Sequence, residues 1–222
     1  MSYIDIHTHT TNSVEEQIAI RNVFPDQAFY GGNTQQPYFS VGLHPWYINP
    51  DSMLAELEIV KILAAHPFCL AIGETGLDKL TQTSFELQKE VFVKHLEIAC
   101  GFSKPVIIHC VRAFPEILQL YEPFAGKVKL IFHGFNNSSQ IVKQLMNHGC
   151  YLSFGKALLN PESNACKLFP EIPDNRFFLE TDEADISIDD VYRKAAKLKN
   201  LTLEKLQIII IENFENCFGN VV

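Results

Sequence analysis

The sequence predicts an α/β fold of the (β/α)8 TIM-barrel type, and three observations support this prediction. Apolar, β-branched runs recur eight times along the 222 residues. Several of these runs are apolar at nearly every position, as expected for parallel strands that are covered on both faces. Segments with helical spacing of apolar residues separate most of the runs, and regular alternation of strand and helix is typical of a parallel barrel.

The predicted elements follow one another in chain order. Strands are expected over residues 3–7, 18–24, 38–43, 69–73, 105–109, 128–132, 150–153 and 176–180. Helices are expected over residues 53–66, 85–102, 115–121, 139–148, 189–199 and 202–218. Pro67 ends the first helix, Ser84 is the expected N-cap of the second, and Gly149 closes the fourth. Residues 208–211 have strand propensity, but the apolar spacing around them and an N-cap at Thr202 favour a helix.

The region before residue 43 departs from the regular barrel pattern. Between Ser13 and Leu43 there is room for two strands but hardly for two full helices. Residues 31–37, which are rich in glycine, asparagine and glutamine, are typical of a loop. We therefore expect the first two crossovers to be shortened.

Composition indicates one domain spanning residues 1–222 and restricts the classes of function. The chain is 47% apolar, and 26 acidic against 18 basic residues give a formal net charge of −8. A protein that holds long nucleic acid by counterion release normally has a basic face. No apolar run approaches the roughly 18 residues of a membrane span. Six cysteines without a Cys-x-x-Cys pair, and a strand that begins too early for a signal peptide, predict reduced thiols and a cytoplasmic protein.

The candidate functional residues end predicted strands, which is where barrel enzymes collect their active sites. His7 and His9 lie about 6–7 Å apart on one strand face, so that both can reach a metal if the strand bends at its end. Four further metal-competent side chains end later strands. The six candidate ligands are His7, His9, Glu74, His109, His133 and Asp182. Imidazoles and carboxylates without a thiolate suit Zn²⁺, Mn²⁺ or Mg²⁺, and six ligands suffice for two ions bridged by a carboxylate.

Each candidate also has a structural interpretation. A single histidine at a strand end is often held by a carbonyl group, Glu74 has the position of a loop carboxylate, and Asp182 has the position of a cap for the helix over residues 189–199. His44 ends the third strand, so a role in the pocket is favoured over a structural one. His66, His95 and His148 lie on helices or helix ends and are expected at the surface.

The motifs together resemble the TatD-like metal-dependent deoxyribonucleases of the metallo-dependent hydrolase superfamily. They are Asp5-x-His7-x-His9, Gly42-x-His44-Pro45, Gly73-Glu74-Thr75-Gly76-Leu77-Asp78, Ile108-His109, His133-Gly134-Phe135 and Glu180-Thr181-Asp182, in this order. The resemblance implies a barrel with two divalent ions. His7 and His9, with Asp182 close by, would hold the first ion, His109 and His133 the second, and Glu74 would bridge them. It also implies hydrolysis of phosphodiester bonds, typically at DNA ends.

The remaining role assignments belong to this interpretation. Asp182, as the general base, and Glu74 are the expected catalytic residues. Asp5 and Glu180 are expected to lie behind the ligands, with a simple buried carboxylate as the alternative for Glu180. We assign His44, Arg112 and Phe135 to substrate binding. A surface salt bridge is the alternative for Arg112, and core packing is the alternative for Phe135 and for Trp46, which has the chemistry to stack on a base.

Two departures from the family pattern bear on substrate identity. The segment that usually follows Glu-Thr-Asp is missing, and Arg112 follows His109 by three residues where the family commonly has two. We therefore expect a short single-stranded nucleic acid or a small phosphodiester as substrate, and no membrane partner. An amidohydrolase acting on a small C–N or ester bond and a catalytically silent metal-binding barrel are the alternatives; the oligomeric state stays open.

Overall fold

The computed structural model describes residues 2–10, 17–25 and 37–219, and its strands belong to one eight-stranded parallel sheet in sequence order. They are β1 (Tyr3–Thr8), β2 (Gln17–Val23), β3 (Phe39–Val41), β4 (Cys69–Asp78), β5 (Val106–Val111), β6 (Leu130–Phe132), β7 (Tyr151–Phe154) and β8 (Phe177–Leu179). A parallel bridge between Thr8 and Asp182 connects the ends of β1 and β8. Sequential strand order with the last strand returning to the first is the (β/α)8 arrangement, so the predicted fold class is confirmed.

Eight α-helices follow strands β3 to β8 in the described part of the chain, one after each strand as far as β6 and two after each of β7 and β8. They are α1 (Met53–Ala64), α2 (Phe85–Phe102), α3 (Phe114–Tyr121), α4 (Ser139–Asn147), α5 (Lys156–Leu159), α6 (Asn164–Leu168), α7 (Ile188–Lys199) and α8 (Leu203–Phe218). The sequence did not predict α5 and α6, because four or five residues are too few to show a helical period. The expected N-cap of α8 is confirmed, since the Thr202 hydroxyl accepts a hydrogen bond from Lys205 N at 3.3 Å.

Strand β4 is longer than the sequence indicated, and its glycines explain why. The prediction ended this strand at Gly73, but pairing with β5 continues to Asp78, opposite Val111. A Cβ atom at Gly76 would lie 1.9 Å from the carbonyl oxygen of His109, and one at Gly73 would lie 2.5 Å from that of Ile107. Both glycines also have φ between 128° and 152°, a region that other residues rarely adopt. Only glycine at these positions lets the two strands pair closely, so Glu74 lies within β4 and not at its end.

The described residues divide into two compact units, one of residues 1–21 and 132–222 and the other of residues 22–131. In the first unit, the Tyr192 hydroxyl of α7 donates to Ile4 O and accepts from Ile4 N, both at 3.0 Å. Asn213 of α8 donates to the carbonyl oxygens of Asp174 and Phe177 at 2.8 and 2.9 Å. These bonds attach α7 to β1, which carries the first candidate ligands, and α8 to the start of β8. A single domain over residues 1–222 stays a prediction.

In the second unit, a buried histidine connects α2 to the end of β3. His95 was predicted to lie at the surface, and this prediction is wrong, because its side chain is fully buried. Its Nδ1 lies 2.8 Å from Val91 O, and its Nε2 accepts a hydrogen bond from Leu43 N at 3.0 Å. Burial lowers the pKa of His95 to about 4. The neutral ring therefore holds the strand end next to His44.

Three further predictions concern the first crossovers, the cysteines and membrane spans. Residues 11–16 and 26–36 lie outside the described residues, as does most of the loop predicted over residues 31–37, so the shortened first crossovers stay a prediction. All six cysteines are free thiols, as expected. Among the helices of the described residues, none combines the length and apolar character that crossing a membrane requires.

The buried His95 generates a prediction about stability. His95→Leu removes the acceptor for the Leu43 N–H, so we expect the free energy of unfolding at pH 7 to fall by about 1–3 kcal/mol. In the wild type, the folded-state pKa of about 4 lies below the unfolded value. As the pH falls, the unfolded chain therefore takes up a proton before the folded chain does. Below about pH 6.5 this difference lowers the free energy of unfolding, by at most roughly 1.4 kcal/mol per pH unit.

Both effects are measured by urea unfolding at pH values about one unit apart, from about 4.5 to about 7.5. The exposed His66 provides the matched control, His66→Leu. If His95→Leu kept the full pH dependence of the wild type, the assignment of this dependence to His95 would be wrong.

Candidate metal centre

Four of the predicted ligands lie together in the first unit, at the ends of β1, β6 and β8. One ligand atom each from His7, His133 and Asp182 lies within 4.8 Å of the other two. The Nε2 atoms of His7 and His9 are each 3.5 Å from Asp182 Oδ1. The His7 and His133 rings are 4.6 Å apart between centroids. The structure therefore gathers three imidazoles around one carboxylate; His133, which the resemblance assigned to the second ion with His109, lies here with His7 and Asp182, and the roles of all four as ligands stay predictions.

The position of Asp182 follows from the pairing of β1 with the segment after β8. Asp182 N donates to His7 O at 2.9 Å, and Asp182 O accepts from His9 N at 3.2 Å. Its φ of 56° lies in the left-handed region, which is uncommon for aspartate and frequent at functional sites. Ser187 caps α7, with its hydroxyl accepting from Asp189 N. The alternative that Asp182 caps this helix is therefore wrong.

Asp5 lies beneath these ligands and holds their backbone in place. Its carboxylate accepts hydrogen bonds from Thr181 Oγ1 at 2.6 Å, from Thr181 N at 3.1 Å and from His7 N at 3.4 Å. Burial raises the pKa of Asp5 to about 7, although the bonds from Thr181 act to lower it. Asp5 thus connects β1 to the segment that carries Asp182; its predicted contact with an imidazole stays a prediction.

Glu180 is fully buried and lies behind His133. Its Oε1 accepts a hydrogen bond from Gly134 N at 2.6 Å and is 3.8 Å from His133 Nδ1. The sequence left two alternatives, a carboxylate behind the ligands or a simple buried carboxylate with a partner. The bond to Gly134 fits a buried carboxylate with a partner, and a role of Glu180 behind the metal ligands stays a prediction.

In the second unit, His44, Glu74 and His109 form another group of ligand atoms within 4.8 Å of one another. Glu74 Oε1 lies 3.2 Å from His44 Nε2 and 3.0 Å from His109 Nδ1. The Glu74 backbone is held by Asn22, whose Oδ1 accepts from Glu74 N at 2.8 Å. Sequence reasoning missed Asn22, because an isolated asparagine inside an apolar strand pattern has no distinctive signal.

The hydrogen bonds of His44 decide which of its nitrogens carries a proton. Its Nδ1 accepts a hydrogen bond from Trp46 N at 3.2 Å. A neutral imidazole that accepts at Nδ1 carries its proton on Nε2, and this proton then faces Glu74. The arrangement makes His44 a hydrogen-bond donor, which agrees with the predicted pocket role better than with metal ligation.

Asp78 is a second residue that sequence reasoning did not assign, although the Gly-Glu-x-Gly-Leu-Asp motif contains it. Its Oδ2 accepts from Trp46 Nε1 at 2.6 Å and lies 3.1 Å from His109 Nε2. Burial acts to raise the pKa of Asp78, but the hydrogen bonds from Trp46, from Leu80 N and from His109 outweigh it and leave this pKa below its usual range.

Two predicted substrate-binding residues differ in how their surroundings fit that role. Arg112 is exposed directly after β5, with a φ of 57°. Phe135 is only 3% exposed, and its ring packs edge-on against Phe154 at 5.8 Å. The packing of Phe135 favours the core alternative, since a buried ring has no free face for a base. Substrate contacts of both residues stay predictions.

The chemistry of these donor sets fits divalent metal ions. In the second unit, a His109 that donates from Nε2 to Asp78 turns the lone pair of Nδ1 towards Glu74 Oε1, 3.0 Å away. Two lone pairs at this distance repel each other unless a proton or a cation lies between them. In the first unit, three imidazoles surround the Asp182 carboxylate. Imidazole with carboxylate is a ligand set that suits Zn²⁺ and Mn²⁺.

Comparison with known protein families decides the assignment. Residues 27–219 match the TatD-related DNase family. The chain belongs to this family. It is a TatD-family metal-dependent hydrolase, as the motifs around His7, Glu74 and Asp182 predicted.

Individual TatD-family relatives cover most of the chain. The metal-dependent hydrolase YabD of Bacillus subtilis, itself uncharacterized, is 31% identical over 198 residues, which are 82% of this chain and 77% of YabD. The 3'-5' ssDNA/RNA exonuclease TatD of Escherichia coli is 29% identical over 165 residues, which are 72% of this chain and 63% of that protein. The chain thus spans less than two thirds of the exonuclease.

Solved structures agree on the TatD-family fold. The crystal structure of the TatD homologue YjjV from Escherichia coli has a TM-score of 0.83 at 19% identity, covering 98% of both chains. A TatD-family hydrolase from Entamoeba histolytica has a TM-score of 0.78 at 17% identity, covering 98% of both chains.

The two groups of ligand atoms generate a prediction about metal content. Protein purified without chelator should contain up to two divalent ions per chain. His133→Ala should weaken binding at the His7 group, and His109→Ala should weaken binding at the Glu74 group, because each variant removes a ligand from only one of them. Elemental analysis after dialysis against a metal buffer measures the stoichiometry.

The exposed histidine after α4 provides the control, His148→Ala, which should keep the wild-type metal content. An unchanged stoichiometry in both ligand variants would contradict the assignment of these groups.

Proposed function

We propose that this TatD-family hydrolase cleaves phosphodiester bonds at the ends of single-stranded nucleic acid. One observation carries the proposal: each unit holds imidazole and carboxylate ligand atoms within 4.8 Å of one another, His7, His133 and Asp182 in one and Glu74 and His109 in the other. The relative named as a single-stranded DNA and RNA exonuclease supports the choice of substrate. A cytoplasmic location stays part of the proposal.

Divalent ions would supply the central chemistry when bound, since they lower the pKa of bound water towards neutrality and offset charge on phosphate oxygens. His7, His9, His133 and Asp182 would hold an ion in the first unit. Glu74 and His109 would hold an ion in the second unit. The resemblance to the family supports two ions with Glu74 as the bridge, and both remain part of the proposal.

Asp182 is the group of the chain that best fits the role of general base. Its side chain is 37% exposed, so one carboxylate oxygen can face an attacking water while the other faces the imidazoles. The hydrogen bonds of its backbone to His7 and His9 fix the direction of this carboxylate. In the second unit, Nε2 of His44 faces Glu74 Oε1 at 3.2 Å, and a contact of His44 with substrate stays a prediction.

A cavity beside Asp182 combines one lysine with three carboxylates, those of Glu180, Asp182 and Glu183. It has a volume of about 340 Å³ and is lined by residues that follow β6, β7 and β8, among them Gly134, Gly155 and Lys156. Lys156 is exposed at the start of α5 and is a point charge of the kind that binds phosphate. One local cation beside the metal ligands fits an acidic chain that contacts few phosphates.

An aromatic rim in the second unit favours unpaired bases as substrate. Trp46 and Tyr47 are 52% and 62% exposed and lie next to His44, with ring centroids 4.9 and 5.6 Å from the His44 ring. Exposed aromatic rings next to a polar site stack on bases that are not held in a duplex. This rim therefore supports a single-stranded substrate.

Substitution of Asp182 tests the catalytic part of the proposal. Asp182→Asn keeps the shape of the side chain but removes a proton acceptor and a negative charge. We expect turnover of a short DNA oligonucleotide to fall by roughly 10²–10⁴, and EDTA to abolish turnover of the wild type. Rates should be compared at matched metal content, with the exposed Asp190→Asn as control.

A substrate panel separates this function from its alternatives. It contains short single-stranded DNA and RNA, a chromogenic phosphodiester, and simple esters and amides. Wild-type turnover in metal-loaded Asp182→Asn would exclude Asp182 as the base, whereas hydrolysis of only amides or esters would exclude a nuclease.

The salt dependence of binding tests the choice of a short substrate. A net charge of −8 and a single lysine at the cavity predict roughly one to three phosphate contacts, and hence a shallow salt slope and a lower KM for a short oligomer than for a long duplex. Lys156→Gln should raise KM and reduce the slope of log affinity against log salt concentration by about 1, because it removes one phosphate-binding charge. The exposed Lys143→Gln is the control.

Tight duplex binding with a steep salt slope would contradict this prediction. So would a salt slope that is the same in Lys156→Gln and in the wild type.

A further inference from the structure

We propose that Asp78 and Trp46 position His109, by fixing the orientation of its ring and the nitrogen that carries its proton, and thereby set the affinity of its Nδ1 for metal. The proposal rests on the proposed metal site for its consequence, but its geometric part can be tested in metal-free protein. Neither Asp78 nor Trp46 belongs to the groups of metal ligands described above.

The Asp78 carboxylate is surrounded by three hydrogen-bonding groups in the second unit. Its Oδ2 accepts from Trp46 Nε1 at 2.6 Å and lies 3.1 Å from His109 Nε2. Its Oδ1 accepts from Leu80 N at 2.7 Å. Because the residue is only 3% exposed, water does not compete effectively for these bonds.

The backbone of Asp78 is fixed as firmly as its side chain. Asp78 N donates to Gln88 Oε1 at 2.7 Å, and Gln88 Nε2 donates to Asp78 O at 3.0 Å. Gln88 lies on α2 and is 1% exposed. Asp78 also pairs with Val111 of β5, two residues after His109. The carboxylate therefore has little freedom to turn away from the His109 ring.

This geometry determines which nitrogen of His109 is available to a metal ion. Both neighbouring carboxylates only accept hydrogen bonds, Asp78 at Nε2 and Glu74 at Nδ1, so when a metal ion takes the Nδ1 side the remaining proton of His109 lies on Nε2 and faces Asp78. Nδ1 faces Glu74 Oε1, 3.0 Å away, on the side of the proposed ion. A carboxylate that fixes a histidine from its far side makes the other nitrogen a better metal ligand, and its loss typically costs 10–100-fold in metal affinity.

Trp46 stabilises this arrangement and also provides a spectroscopic signal for it. Its indole N–H occupies the second acceptor direction of Asp78 Oδ2, so it fixes the carboxylate against rotation. Its ring lies edge-on to His109, with centroids 5.6 Å apart. Trp46 is the only tryptophan of the chain, so its single indole N–H resonance reports on this bond.

The experiment measures the metal-free protein first. In ¹⁵N-labelled protein with chelator, we expect a downfield indole N–H resonance and a His109 that is protonated on Nε2, assigned with the help of His109→Gln. Asp78→Asn should move the indole resonance upfield and shift His109 towards a mixture of protonated forms. Trp46→Phe keeps an aromatic ring without the donor and should cause a smaller shift of His109. Asp51→Asn, an exposed carboxylate in the same unit, should change nothing.

Zn²⁺ affinity is then measured by competition with a chromophoric chelator. We expect Asp78→Asn to lose about 10–100-fold in affinity and Trp46→Phe to lose less, while Asp51→Asn matches the wild type. Circular dichroism confirms that each variant is folded, and the surface position of Trp46 keeps its variant informative if Asp78→Asn does not fold.

The outcomes distinguish this proposal from the proposed function. Unchanged protonation of His109 and unchanged Zn²⁺ affinity in both variants would overturn the positioning role. A wild type that shows the expected resonances but binds no metal at His109 would overturn the proposed metal function, and the metal-free spectra would still support the positioning of His109 by Asp78.

Discussion

The close contact between β4 and β5 is the constraint on which the second unit depends. Gly76 faces the His109 carbonyl with no room for a Cβ atom, and Gly73 faces Ile107 in the same way. This contact keeps the two strands paired as far as Asp78 and Val111. Consequently Glu74 and Asp78, four residues apart on one strand, both reach His109 on the other. The glycines of the Gly-Glu-x-Gly-Leu-Asp motif therefore allow the close strand pairing, and the carboxylates of the same motif make the contacts to His109.

The first unit reaches a comparable arrangement by a different route. Here the segment after β8 pairs with β1, and the backbone bonds of Asp182 to His7 and His9 bring its carboxylate to the imidazoles. The unusual φ of Asp182 is tolerated because Asp5 and Thr181 hold the preceding residues, with bonds of 2.6 and 3.1 Å. Buried carboxylates, Asp5 in one place and Glu180 in the other, connect strands whose ends carry ligands. Such bonds restrict the ligands before any ion binds.

Much of this could be predicted from the sequence, because the ends of parallel strands share one edge of a sheet. That rule alone selected His7, His109, His133 and Asp182 from scattered positions in the chain. It did not select Asp78, because the predicted strand stopped at Gly73 and left Asp78 in a loop. The sequence analysis also placed His95 at the surface, which is wrong. Periodicity shows which face of a helix is apolar, but it does not show that a neutral histidine lies within this face. Partners such as Asn22 depend on contacts between distant residues, which no local pattern contains.

The histidines of the second unit show how such partners assign chemistry to residues of the same type. His44 and His109 both lie next to Glu74, with ring centroids 4.3 Å apart. The backbone N–H of Trp46 occupies Nδ1 of His44, which leaves a proton on Nε2. The Asp78 carboxylate lies 3.1 Å from Nε2 of His109, and Nδ1 of the same ring faces Glu74. Trp46 takes part in both arrangements, through its backbone N–H at His44 and through its indole N–H at Asp78. Two identical side chains on either side of one carboxylate are thus held by different neighbouring hydrogen bonds.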